Sequence, residues 1–328
     1  MNRPFLICRL AFKSGLHLGT REGALEGTEP VAHSDTLYSA FLNGYRYLYG
    51  EKELERLIAL FLEEKKPFLF SSAFPFWKGV DYLPVPKNQI PRDKESKKIE
   101  YVDTLAFSRM LQGESLEDLR TEKMFRCIPA MDEDTEDGEK YPWKIQEAPR
   151  VGLDRRFNHP GDRYFHCSEA FFVLDAGLYF LIQVNDNTSI ERIFGVWNLM
   201  ADEGIGGDRS VGKGLFHYCV PGEFSLEVPD DADGQVLLSL YYPADSELDG
   251  IQKAYYTLIP RRGYVFSPAG QSLRRKSVMM FTEGSVFPAP PFYHGLFLDV
   301  TPDLFQAHRV FRAGTALSIP CRLNGRNP

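Results

Sequence analysis

Eleven consecutive residues, Gly204-Ile-Gly-Gly-Asp-Arg-Ser-Val-Gly-Lys-Gly214, hold five glycines. A glycine inside a regular element costs about 0.5–1 kcal/mol relative to alanine, so neither a helix nor a strand is expected to run through this stretch. One element must end before Gly204 and another must begin after Gly214. Upstream, Ile190, Ile193, Phe194, Trp197 and Met200 recur at helical spacing behind Thr188 and Glu191, which read as a capping box. Downstream, Phe216 to Val228 reads as a strand.

Extending outward from this loop gives an element order. The apolar runs RYFHCSEAFFV and LYFLIQV are joined by Leu174-Asp-Ala-Gly177, a hairpin signal with glycine in the turn. At the other end, residues 3–12 alternate weakly as a first strand. Ser34 or Asp35 is placed to cap a helix carrying Leu37, Ala40, Phe41 and Leu48. A second helix over 51–65 puts Leu54, Leu57, Ile58, Phe61 and Leu62 on one face. Residues 68–163 are rich in proline and charge, and a structureless stretch of that length is unusual inside a compact domain, so they read as a projecting insertion. The resulting β-α-(insertion)-β-β-α-loop-β order is ferredoxin-like (RRM-like), within the α+β class. From about Gln235 mostly strands follow, predicting a smaller, sheet-rich domain over 231–328 behind a first over 1–230. A chain of 328 residues, 43% of them hydrophobic, has the material for two such cores.

The formal charge of −7 has the wrong sign for a surface adapted throughout to nucleic acid, but its distribution is uneven. Six acids crowd Met131 to Glu139, whereas Arg261 to Lys276 carries five bases and no acid. A local basic track on an acidic body fits this pattern. The five cysteines are odd in number, widely spaced and never in a C-x-x-C pair, which predicts a reduced, cytoplasmic protein without disulfides. The cysteines and the seven histidines show no metal-ligand spacing, and no cofactor or structural metal is expected. No apolar run is long enough to span a membrane.

Within the glycine loop, successive main-chain amides together with Arg209 and Lys213 suit an anionic oxygen, with phosphate the natural guest. Gly207 to Lys213 matches the nucleotide-binding pattern G-x-x-x-x-G-K. The next residue is Gly214 rather than the Ser or Thr that would hold Mg²⁺, however, and the loop runs from helix to strand, the reverse of the nucleotide-binding order. The competing reading is a purely structural glycine turn.

This loop, in this position, resembles the signature of the RAMP superfamily of CRISPR-associated proteins. Within it the chain resembles subunit four of the type III-A Csm effector complex. The likeness extends through His33-Ser-Asp-Thr-Leu-Tyr-Ser-Ala40, Tyr82-Leu-Pro-Val-Pro86, Arg150-Val-Gly-Leu-Asp-Arg155 and Glu283-Gly-Ser-Val-Phe287. The resemblance implies two ferredoxin-like modules, the second degenerate, with a thumb-like insertion. It further implies a subunit without a catalytic centre that binds the repeat-derived 5′ tag of a guide (CRISPR) RNA at one end of the complex. Its partners would be the large polymerase/cyclase-like subunit and the backbone RAMP subunits, with target RNA nearby.

The expected RNA contacts are His33, Ser34, Trp77, Lys78, Arg150, Arg155, Gly206, Gly207, Arg209, Ser210, Gly212, Lys213, Gly214, Arg261, Arg274 and Lys276. Several have a plain structural alternative. His33 and Asp35 invite an acid–base reading, but no second group to activate a 2′-hydroxyl is identifiable, and capping, packing or RNA contact explains them. Arg150, Arg155 and Arg156 suit phosphate or are simply solvated. The basic cluster Arg261, Arg262, Arg274, Arg275 and Lys276 lines an RNA path or protects a strand edge. Phe74, Phe76, Trp77 and Tyr82 stack on bases or form a small core. A guide-processing endoribonuclease and a protein-interaction scaffold with little RNA contact are the alternative functions.

Overall fold

The structure is a computed structural model that describes residues 2–21, 24–63, 66–131, 141–151, 164–185, 188–267, 270, 273–290 and 293–323. In chain order, β1 (Asn2–Leu10) leads through the short pair β2 (Gly19–Arg21) and β3 (Ala24–Thr28) into α1 (Ser34–Tyr49) and α2 (Glu51–Leu62). Next come β4 (Phe68–Phe70), β5 (Phe74–Trp77), β6 (Val80–Pro84), α3 (Lys94–Lys97), β7 (Ile99–Asp103), α4 (Thr104–Leu111), α5 (Leu116–Arg120) and β8 (Cys127–Pro129). β9 (Trp143–Val151), β10 (Tyr164–Phe172), β11 (Ala176–Val184), α6 (Ile190–Glu203) and β12 (Gly222–Glu227) follow. The C-terminal part adds β13 (Gly234–Leu237), β14 (Leu258–Arg261), β15 (Val278–Phe281), β16 (Val286–Pro288), β17 (Gly295–Asp299), β18 (Phe311–Thr315) and β19 (Ser318–Cys321).

The principal sheet has eight strands in the order β12-β1-β11-β5-β6-β7-β8, with β4 also paired to β11, and its pairings are antiparallel. Period-two alternation sends Cys8 and Leu10 of β1, and Leu178, Phe180 and Ile182 of β11, to the face covered by α1, α2 and α6. Phe5, Ile7, Tyr179 and Leu181 go to the other face. There they meet α4 and the sheet β16-β13-β19, so Val236, Leu238, Leu317 and Ile319 share one core with the first strand of the chain. The large aromatic content serves this packing. Trp197 of α6 lies against Phe41, Phe70 and Phe180, with ring centroids 4.6–6.2 Å apart.

Three expectations are corrected here. Residues 68–129 do not project as a body, because β4 through β8 extend the principal sheet. Only β9 and β10 form a separate two-stranded ribbon. Nor do the two apolar runs around Leu174 pair with each other. Asp175 does take a turn conformation (φ 55°), but both edges of β11 are already taken by β1 and by β4 and β5, so β10 pairs with β9. Finally, α6 is capped by Ser189, whose hydroxyl accepts the Arg192 N–H at 3.2 Å, while Thr188 instead donates to the Pro67 carbonyl.

Candidate nucleic-acid interface

The N-terminus of α1 meets the C-terminal strands around a buried charge cluster. Asp35 stands in the first turn of α1. Arg261, at the end of β14, donates to it through Nη2 at 2.8 Å and Nε at 3.1 Å, and Arg312 of β18 donates through Nη1. Burial opposes ionisation of Asp35, but the two guanidinium groups outweigh it and hold the carboxyl well below its ordinary range. Arg275 donates to neutral oxygens, the Tyr264 carbonyl at 2.9 Å and the Ser39 hydroxyl at 3.4 Å. Burial, and then the charge of Arg312, push its pKa down to about 10. Two guanidinium groups thus bind one carboxylate, and a third is near enough to feel its charge.

These groups form one wall of a cleft of about 500 Å³. Its lining includes His33, Asp35 and Ser39 of the α1 region, Arg261, Arg262 and Arg275 of the C-terminal part, and His17, Gly206, Gly207 and Arg209. The cleft therefore brings together His33, Gly206, Gly207, Arg209 and Arg261 of the sequence-predicted contacts, drawn from both halves of the chain.

His33 is held rather than free. Its Nδ1 lies 2.9 Å from Glu283, its Nε2 3.4 Å from Glu29, and Ser72 also donates to Glu283. Burial disfavours the imidazolium, but Glu283 and Glu29 outweigh that and raise His33 to about 10. The motifs around His33 and Glu283, far apart in sequence, thus meet as an ion pair that ties the N-terminal helix to the C-terminal strands. Because the folded pKa exceeds the ordinary value of 6.5, this histidine contributes stability fully present below about pH 6.5 and lost as pH rises through about 10. Glu283→Gln should flatten that decline relative to wild type when unfolding free energy is measured across the interval. Identical slopes for the two proteins would show that the histidine is not charged by this partner.

The glycine loop is tied down more firmly than its composition implies. Ile205 N–H donates to Gly214 O (3.1 Å), Gly207 N–H to His17 O (2.8 Å), Gly212 N–H to Arg209 O (3.0 Å) and Gly214 N–H to Gly15 O (2.9 Å). The expectation of a row of free amides is corrected, since most of them fix the loop to itself and to residues 14–17. Glu169 of β10, buried, binds Lys213 at 2.6 Å and Arg150 at 2.7 Å, and Arg150 also binds Asp208 at 2.7 Å. Both cations therefore brace the loop from behind. Arg209 has a different setting, 4.8 Å from the Phe266 ring centre at the cleft.

The remaining expectations fall elsewhere. Ser34 does not cap α1; it is buried and its hydroxyl accepts the Leu240 N–H, while His33 occupies the cap position without a side-chain cap bond. Ser210 is exposed in the loop's short 3₁₀ turn. Trp77 packs in a satellite core with Tyr82 and Trp143, and Lys78 lies 4.4 Å over its ring, away from the cleft-lining residues. Phe74 and Tyr82 are buried, which settles them as core. Lys276 pairs with Asp303 at 2.8 Å, and Arg274 lies 5.8 Å over Tyr264. Arg155, Arg156 and the acidic residues 132–139 lie outside the described residues.

Sequence reasoning missed Glu169, Glu283, Arg312 and Phe266 as parts of the site. Glu169 alone carried a signal, being a carboxylate inside an apolar run that demands a cation. Among the described residues, no group of three or more His, Cys, Asp or Glu side chains is placed to hold a metal ion, and no helix is long and apolar enough to cross a membrane.

Comparison with known proteins completes the description. Residues 230–321 match the family model of the CRISPR Csm4 C-terminal domain. The chain is 26% identical to the Csm4 protein of Methanocaldococcus jannaschii, over 86% of this chain and 85% of that one. It is 27% identical to the Csm4 protein of Thermococcus onnurineus, over 80% and 83% respectively. Its fold matches a chain of the crystal structure of a Csm3–Csm4 subcomplex with TM-score 0.61 and 18% identity, covering 97% of this chain and 99% of the other. It also matches a chain of a Csm1–Csm4 cassette in complex with cA4, with TM-score 0.59 and 19% identity, covering 98% and 99%. With a matched C-terminal domain and sequence likeness along most of its length, the chain is similar to the Csm4 proteins of type III-A CRISPR systems.

Proposed function

We propose that this chain is a non-catalytic RNA-binding subunit of a type III-A effector ribonucleoprotein, and that the cleft grips the repeat-derived 5′ tag of the guide RNA. The observation that carries this reading is the excess of guanidinium over carboxylate in the cleft, where Arg261 and Arg312 bind Asp35 and Arg209, Arg262 and Arg275 line the same space. An anionic strand neutralises that excess, and arginine suits phosphate better than a point charge would. The ion pairing of His33 with Glu283 supports a positioning role, because a general base needs an unprotonated nitrogen. The strand order β12-β1-β11-β4, with α1 and α6 on one face, supports a ferredoxin-like first module, with the β9–β10 ribbon as its thumb. The matched range 230–321 supports a second module beginning near 231. Likeness to chains of Csm3–Csm4 and Csm1–Csm4 structures supports a large polymerase/cyclase-like subunit and backbone RAMP subunits as neighbours, in the cytoplasm.

The experiment is binding of guide RNA with and without its 5′ tag, across a range of salt. Arg209→Ala and Arg275→Gln should each weaken tagged-guide binding about tenfold or more, the value of one charge-assisted contact, and reduce the salt slope by about 1. Tag-independent binding by wild type, or unchanged binding by both variants, would place the grip elsewhere.

A further inference from the structure

We propose that Tyr264 and Phe266 form a stacking platform for unpaired nucleobases of the RNA strand held in the cleft, a deepening that rests on the RNA-binding reading above. The segment is extended, with Tyr264 bridged to Arg274, so neighbouring side chains point to opposite faces. Val265 points inward and packs with Val300, Phe305 and Val310. Tyr264 and Phe266 therefore share the other face, which is the cleft, and both line it. The two residues are 43% and 52% exposed, unlike the aromatic residues that build the core.

Each ring already carries a guanidinium, Arg274 at 5.8 Å from the Tyr264 centroid and Arg209 at 4.8 Å from that of Phe266. A cation on the ring face offers charge for a phosphate beside a flat apolar surface for a base, the combination that sequence-tolerant single-strand sites use. Arg275, whose donors meet only neutral oxygens in the contacts above, follows Arg274 on the segment bridged to Tyr264. Phe266 of the C-terminal part and Arg209 of the glycine loop meet at the cleft, so a base on this platform lies beside both. The bases of a duplex are paired and stacked inside it, so the platform selects single-stranded RNA.

The test uses the full chain with labelled guide RNA, intact and with one tag nucleotide at a time made abasic. Tyr264→Leu and Phe266→Leu keep apolar bulk at exposed positions and remove the aromatic face. The double variant should bind intact tagged guide at least tenfold more weakly. At one or two tag positions the abasic guide should cost wild type a comparable factor and cost the double variant nothing further. Equal binding by variant and wild type, or an abasic penalty that persists in the variant, overturns the platform. If wild type binds tagged and untagged guides alike while the leucine variants weaken both, the platform stands and the tag assignment falls. If wild type binds neither RNA and the leucine variants instead lose a protein partner, the aromatic face is a protein contact and the proposal fails.

Discussion

Asp35→Asn should destabilise the protein by about 3–5 kcal/mol, because it leaves the guanidinium groups of Arg261 and Arg312 without their anion in a buried site. The loss is not that of one hydrogen bond. Amide oxygen still accepts, but it no longer offsets two positive charges, and Arg312 is almost wholly inside. Chemical denaturation monitored by tryptophan fluorescence reads the effect. Replacing Asp35 and Arg312 together by leucine and methionine should recover only part of it, since the apolar pair removes the charge of Arg312 but leaves Arg261 without its anion. An Asp35→Asn protein that unfolds at the wild-type midpoint would mean that this cluster is solvated and holds nothing.

Gly214→Ala and Gly212→Ala, two residues apart in one loop, should differ sharply. Both positions have positive φ, 69° and 81°, so any side chain costs about 1–2 kcal/mol there. At Gly212 a methyl group would meet open space, and strain is the whole effect. At Gly214 it would overlap the carbonyl oxygen and amide of Ile205, backbone that cannot move without breaking the loop's closing hydrogen bond. Adding that overlap brings the expected cost at Gly214 to about 3–5 kcal/mol. Thermal unfolding of the two variants side by side provides the measurement. Equal losses would show that the Ile205–Gly214 approach is looser than described.

The loop's legibility in sequence was of a particular kind. Glycine content marks where backbone must come close, but not what it comes close to. The expected guest was an anion, whereas the close approaches at Gly204 and Gly214 are between the two ends of the loop and at Gly206 are to His17. The helices read well because their apolar spacing reports directly on a buried face, as with Trp197 and Met200 of α6. The strands from Phe68 to Pro129 did not, because each is only three to five residues long, too short to display alternation, and their pairing with the principal sheet is set at long range. Lys213 and Arg209 look equivalent in sequence. Only Glu169, 44 residues before Lys213, separates a brace from a cleft residue.

The charge cluster also bears on when the site comes into being. Asp35 is separated from Arg261 by 226 residues and from Arg312 by 277. On the ribosome, the first helix therefore emerges with its acidic residue unanswered, and the β1 face bearing Phe5 and Ile7 is fully covered only once β19 has been made. Vectorial synthesis thus leaves Asp35 without a cation until Arg261 is made, and its second partner, Arg312, arrives later still. A product terminated before Arg261 therefore has Asp35 unpaired and, of the cleft arginines, only Arg209 with which to compete for RNA.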